Sequence, residues 1–261
     1  FISPSDMGIA GNGDIIVADS GNNRIQVLAG NDLSCKFSFG EFGSGGNKFL
    51  GISGLAVNRL SGEIAVCDLK GHKISKFDST GKQILYFTDK VRCPLDIEFD
   101  KLGNMYVIMT KQPGIYKYNQ RGVFQEIVGG KGKAAFVFAT SITFANDHLY
   151  IADYGAKRIV KMTLSGEVVR EVTQKGEYEE LQGPRGVGVD DKENYYILDL
   201  GEVPISMLTK EGALISRIGV FGKEPGQFLY PRTILARNEG DVLILDYTRN
   251  VILNFKKMAT K

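Results

Sequence analysis

The sequence has no tryptophan, three cysteines, two histidines and seven prolines in 261 residues. Cys35, Cys67 and Cys93 are an odd, widely spaced set without a CxxC pair or a histidine at zinc-ligand spacing, so they read as reduced structural thiols. No apolar run approaches the roughly 18 residues that span a membrane. The opening stretch, Phe1 to Ala10, lacks the basic start and long apolar core of a signal peptide, which points to a soluble, cytoplasmic location. A G-x-S-x-G nucleophile motif is missing as well. The glycine-rich stretches GEFGSGGNKF and GGKGKAAF lack the GK[ST] ending and following helix of a phosphate loop, and read as connections.

What the sequence does have is glycine, 32 residues of it, and a repeat. The stretch IIVADSGNNRIQVL, residues 15–28, reads as strand, tight turn, strand. It aligns with IAVCDLKGHKISKF (64–77), LYIADYGAKRIVKM (149–162) and VLILDYTRNVILNF (242–255), and less closely with MYVIMTKQPGIYKY (105–118) and YYILDLGEVPISML (195–208). Anchor positions 19, 68, 110, 153, 199 and 246 recur every 42 to 49 residues, the period of β-propeller blades, with Thr110 read as the residue replacing aspartate. Each hairpin is flanked by a shorter strand before it and another after it. Four strands per unit with two apolar faces must stack against neighbours, so the expected fold is all-β, a six-bladed propeller in one domain spanning 1–261. The blades fall at approximately 4–49, 50–91, 92–138, 139–182, 183–229 and 230–261. The last one stops after its third strand, and Phe1 to Ser3 is too short to supply a fourth.

The pattern P-x-G-[IL]-A-V followed by G-x-I-[YV]-V-A-D-x-x-N-x-R-I resembles the NHL repeat, and GDIIVADSGNNRIQVL matches it closely. Links such as GVFGKEPGQFLYP resemble those of the C-terminal propeller of TRIM-NHL proteins. That resemblance implies a post-transcriptional regulator whose propeller binds RNA on one face, with any ubiquitin-ligase activity and oligomerisation residing in a RING and coiled coil outside this segment. A related peptide-amidating lyase needs several histidines around a zinc, whereas His72 and His148 fall at opposite ends of the expected ring. Calcium-dependent lactonases on related propellers use carboxylate and amide oxygens, which are plentiful here. The reading adopted is a non-enzymatic module without metal or cofactor.

Strand order assigns every loop to one end of the ring. Turns between second and third strands, with the links between blades, carry Arg24, Lys70, Lys73, Arg92, Lys111, Lys157, Arg158, Arg185, Arg232 and Arg249, against Glu202. The opposite turns carry Asp14, Asp32, Glu63, Asp78, Asp100, Asp147, Asp190, Asp191, Glu193, Glu239 and Asp241, so the small net charge of +2 conceals a dipole. The anchor aspartates read as acceptors for backbone amides of their turns. Arg24, Lys73 and Arg158 either face a ligand or pair with those aspartates. Tyr154, Tyr247, Phe49 and Tyr230 either stack bases or pack between blades. The candidate ligand-binding set is Arg24, Lys73, Arg92, Lys111, Tyr154, Lys157, Arg158, Arg185, Tyr230, Arg232, Tyr247 and Arg249, for single-stranded or hairpin RNA. The alternative is a platform for protein partners that selects substrates for an attached ligase.

Overall fold

The structure, a computed structural model, describes residues 1–174, 180–237 and 241–255. The fold is all-β, a six-bladed β-propeller built from four-stranded antiparallel blades, without an α-helix among the described residues. Two compact units divide the chain, Phe1–Phe138 and Ala139–Lys261, and each holds three blades.

In the first unit the blades are β1 (Asp6–Ile9), β2 (Ile15–Asp19), β3 (Arg24–Leu28) and β4 (Cys35–Phe39), then β7 (Ile52–Val57), β8 (Ile64–Asp68), β9 (Lys73–Phe77) and β10 (Gln83–Phe87), then β11 (Pro94–Phe99), β12 (Met105–Met109), β13 (Gly114–Tyr118) and β14 (Phe124–Gly129). The link between its first two blades folds on itself through the short parallel pair β5 (Glu41–Phe42) and β6 (Lys48–Phe49). In the second unit they are β15 (Ala139–Ala145), β16 (His148–Asp153), β17 (Arg158–Thr163) and β18 (Val168–Val172), then β19 (Gly186–Val189), β20 (Tyr195–Leu198), β21 (Ile205–Leu208) and β22 (Leu214–Ile218). The sixth blade has three described strands, β23 (Pro231–Ala236), β24 (Val242–Asp246) and β25 (Val251–Phe255). Glu239 and residues 256–261 lie outside the described residues.

The second strand of each blade is apolar on both faces because it is covered on both faces. IIVAD, IAVCD, MYVIM and VLILD are buried along their whole length. Between the first two blades Ile16, Ala18, Ile25 and Val27 meet Leu55, Val57, Ile64 and Phe77 in one cluster. Another joins Ala65, Cys67 and Ile74 to Ile97, Met105, Val107 and Tyr118, and two equivalent clusters lie within the second unit. Each such aliphatic side chain contributes about 1.5–3 kcal/mol by leaving water. The fourth strands are more exposed, and QILYF alternates because one face of it meets solvent.

Strand register corrects the anchor of the third blade. Ile52 is paired with Asp68, Ala139 with Asp153 and Pro231 with Asp246; the equivalent partner of Pro94 is Met109, not Thr110. A buried methionine, 2% exposed, therefore occupies the aspartate position there. Residues 1–3 are likewise not a strand. They form an incoming link, with the Ile2 amide donating to Asp19 Oδ1 at 2.7 Å and the Gly21 amide donating to the Ile2 carbonyl at 2.8 Å.

Candidate functional site

The anchor aspartates do more than close their own turns. Asp68 accepts the amides of Leu50 and Gly51 from the preceding link at 3.0 and 2.9 Å, and the Gly71 amide from its turn at 2.9 Å. Asp246 accepts Leu229 and Tyr230 from the link, and Thr248 and Arg249 from the turn. Asp199 accepts Gln182 and Gly183. One carboxylate thus clamps link to turn, bringing both to the same end of the blade.

In the second unit that clamp assembles a ladder of cations and rings. Arg185 follows the link held by Asp199, and Tyr230 ends the link held by Asp246. The Arg185 guanidinium carbon lies 4.3 Å from the Tyr230 ring centroid and 5.9 Å from that of Tyr154. Tyr230 meets Tyr247 edge to face at 5.9 Å, and Arg232 lies 5.8 Å from the Tyr247 centroid. The Tyr247 amide donates to the Tyr230 carbonyl at 3.0 Å, which holds the two rings in register. Arg185 Nε is buried and has no hydrogen-bond partner among the described residues. Burial pulls this guanidinium below its ordinary value; Tyr154 opposes the shift and Arg232 adds to it. It remains a cation at neutral pH.

The other candidates divide into three kinds. Arg92, Lys111 and Lys157 are exposed. Arg24 and Arg158 pair with their anchors, Arg24 Nε to Asp19 at 2.9 Å and Arg158 Nε to Asp153 at 3.2 Å, and Arg158 also reaches Glu171 at 2.9 Å. Lys73 and Arg249 hold links. Lys73, 3% exposed, donates to the carbonyls of Gly45 and Lys48 at 2.5 and 2.6 Å and lies 3.5 Å from Asp68. Burial lowers its pKa, with Asp68 opposing. Arg249 donates to the carbonyls of Glu224 and Gln227 at 2.7 and 2.9 Å. Phe49 is fully buried and packs near Phe77.

Sequence reasoning missed Leu200, 43% exposed, which adjoins Tyr154 over Gly183. The signal was present: Leu200 follows Asp199 as Tyr154 follows Asp153 and Tyr247 follows Asp246. The acidic turns are also less available than their charges suggest. Asp100 and Asp190 accept amides of their own turns and the hydroxyls of Tyr106 and Tyr196, and Asp14, Glu63 and Glu193 pair with Lys36, Lys76 and Lys161. Among the described residues no group of three or more His, Cys, Asp or Glu is placed to hold a metal, and no helix is long and apolar enough to cross a membrane.

The NHL repeat family matches residues 1–28. Protein brain tumor of Drosophila melanogaster is 31% identical over 124 residues, 47% of this chain and 12% of that protein. With the six blades, these similarities support an NHL-repeat propeller. It resembles the propeller domains of the TRIM-NHL proteins. Among solved structures, hydrazine synthase of Kuenenia stuttgartiensis superposes with a TM-score of 0.71 at 11% identity, covering 99% of this chain and 96% of that one. Virginiamycin B lyase from Staphylococcus aureus gives 0.69 at 15% identity, covering 97% and 84%. A protein of unknown function from Bacteroides thetaiotaomicron gives 0.74 at 16%, covering 98% and 70%. At these identities the likeness is one of fold alone.

Proposed function

We propose that this propeller is a cytoplasmic RNA-binding module, without catalytic activity of its own, that takes single-stranded or hairpin RNA on the end of the blades where links and turns meet. The observation that carries the reading is the ladder Tyr154, Arg185, Tyr230, Tyr247 and Arg232, where cations alternate with half-buried rings. Single-stranded nucleic acid is held by cationic grooves with aromatic platforms, each stacked base contributing about 1–3 kcal/mol. Exposed Lys157 adds phosphate affinity beside it.

The test is fluorescence anisotropy with a random-sequence RNA pool at about 0.15 M salt. Wild type is compared with an Arg185→Glu, Arg232→Glu variant; Arg158 is left alone because reversing it would break two ion pairs. Sub-micromolar binding that the variant loses supports the proposal. Absent binding, or binding indifferent to these charges, overturns it.

A second reading, a platform for protein partners of an attached ligase, draws on Leu200 and Leu229, which are 43% and 39% exposed near the same tyrosines. Affinity that persists in high salt would favour it, because apolar contact is not screened.

A further inference from the structure

The third blade breaks the anchor pattern on both strands of its hairpin. The pairs Asp19 with Arg24, Asp68 with Lys73 and Asp153 with Arg158 close the first, second and fourth hairpins, and Asp246 faces Val251 in the sixth. In the third, Ile108 is paired with Ile115, so the next residues outward are Met109 and Gly114. A thioether replaces the carboxylate and a hydrogen replaces the cationic side chain. Beside Gly114 lies a cleft of about 570 Å³, wholly within the first unit.

Its composition differs from that of the ladder. Tyr116 and Phe124 form an aromatic floor, with ring centroids 6.0 Å apart and planes tilted by 53°. Pro113 and the half-exposed Ile127 supply apolar walls. Lys90 and Lys131, both exposed, stand at the rim, and Lys90 Nζ lies 3.8 Å from the Phe124 centroid. Glu126, the one acid in the lining, is bonded to Lys117 at 3.2 Å. The field at the rim is therefore cationic. The wall strand β14 ends its sheet, so its outer edge bonds to no strand of that sheet.

We infer that this cleft docks an extended peptide segment of a protein partner, with a large apolar or aromatic residue on the floor and acidic residues beside the lysines. The aromatic floor and apolar walls suit a large apolar side chain, and the exposed lysines at the rim suit acidic residues beside it. The outer edge of β14, which pairs with no other strand among the described residues, offers amides and carbonyls that a peptide backbone matches. A cavity of this size fits one large side chain and its neighbour. This site goes beyond the RNA-binding reading and does not depend on it.

The experiment uses the full chain and a fluorescein-labelled ten-residue peptide with a central Trp-Leu pair flanked by glutamates. The controls are a lysine-flanked version and a Gly-Ser version of the pair. The glutamate peptide binds wild type and the Arg185→Glu, Arg232→Glu variant alike, and is weakened about tenfold by Lys90→Glu with Lys131→Glu, and similarly by Ile127→Glu. These three residues are exposed, so circular dichroism of the variants matches wild type. Absent binding, equal binding of the lysine-flanked peptide, or indifference to those substitutions overturns the inference. Displacement of the peptide by a uridine-rich oligonucleotide in the Arg185→Glu, Arg232→Glu background would assign the cleft to RNA instead, and overturn it equally.

Discussion

Arg185 lies over Tyr230, its guanidinium carbon 4.3 Å from the ring centroid, although 45 residues separate them in a chain whose repeat is of that length. The contact joins corresponding parts of consecutive blades. If it orients the guanidinium edge toward an RNA acceptor, Arg185→Lys keeps the charge and loses the planar fork. Affinity should fall by about 1 kcal/mol, read by anisotropy, with the salt dependence unchanged.

Charge removal should read differently. For single-stranded RNA, log K falls with log salt by about 0.7 per phosphate neutralised. Lys157→Gln and Arg232→Gln should each reduce the slope by about that amount, whereas Lys73→Gln should leave it unchanged, because its ammonium is buried against Gly45 and Lys48.

Lys73 instead governs stability. Lys73→Met removes the partner of two link carbonyls and the cation near Asp68, which is fully buried. The expected cost is about 3 kcal/mol in urea unfolding, with RNA affinity per folded molecule retained.

Asp19 supplies a pH signature. Burial raises its pKa, but bonds from the Ile2 amide, Asn22, Arg24 and Gln26 outweigh that and hold it below 3.8. A depressed folded value means the stabilisation is fully present above the unfolded pKa of about 3.9 and is lost as pH falls through the folded one. Asp19→Asn should destabilise the chain at neutral pH and flatten the acid limb of a melting-temperature profile. An unchanged acid limb would show that the unfolding is governed elsewhere.

The third blade should reject the residue its repeat position normally carries. Met109→Asp places a carboxylate in the cluster of Ile97, Val107 and Tyr118 opposite a glycine, and an uncompensated buried charge costs about 3–5 kcal/mol. Differential scanning calorimetry would detect the loss as a lower melting temperature.

The blades were legible because their cause is local. Residues such as Ile15, Ile16 and Val17 announce a strand covered on both faces, and Gly13 (φ 87°) and the left-handed Asn23 (φ 52°) mark the turns around it. The ladder was legible only as a list. Twelve cations and aromatics on one set of loops could be named from strand order, but not which of them pair. Arg24 and Arg158 are close to an anchor in sequence, so their pairing was an open alternative. The partners of Arg249, at Glu224 and Gln227, are link carbonyls more than twenty residues away, and no spacing rule points there.

The sequence by itself determined the repeat, the all-β class, the six blades and the end of each blade on which basic loops collect, since these follow from period, alternation and turn chemistry. Tertiary structure decided how the charges are used. Whether a side chain faces solvent, an anchor carboxylate or a buried carbonyl depends on the path of the link clamped beside it, and that path is set by contacts between blades. Thus Lys73 is buried and Arg185 is flanked by tyrosines, though both are cations at the same end of their blades. Met109 holds the aspartate position of the third blade both in strand pairing and as the fifth letter of its aligned stretch, so Thr110 was a misreading of a register that the letters already carried.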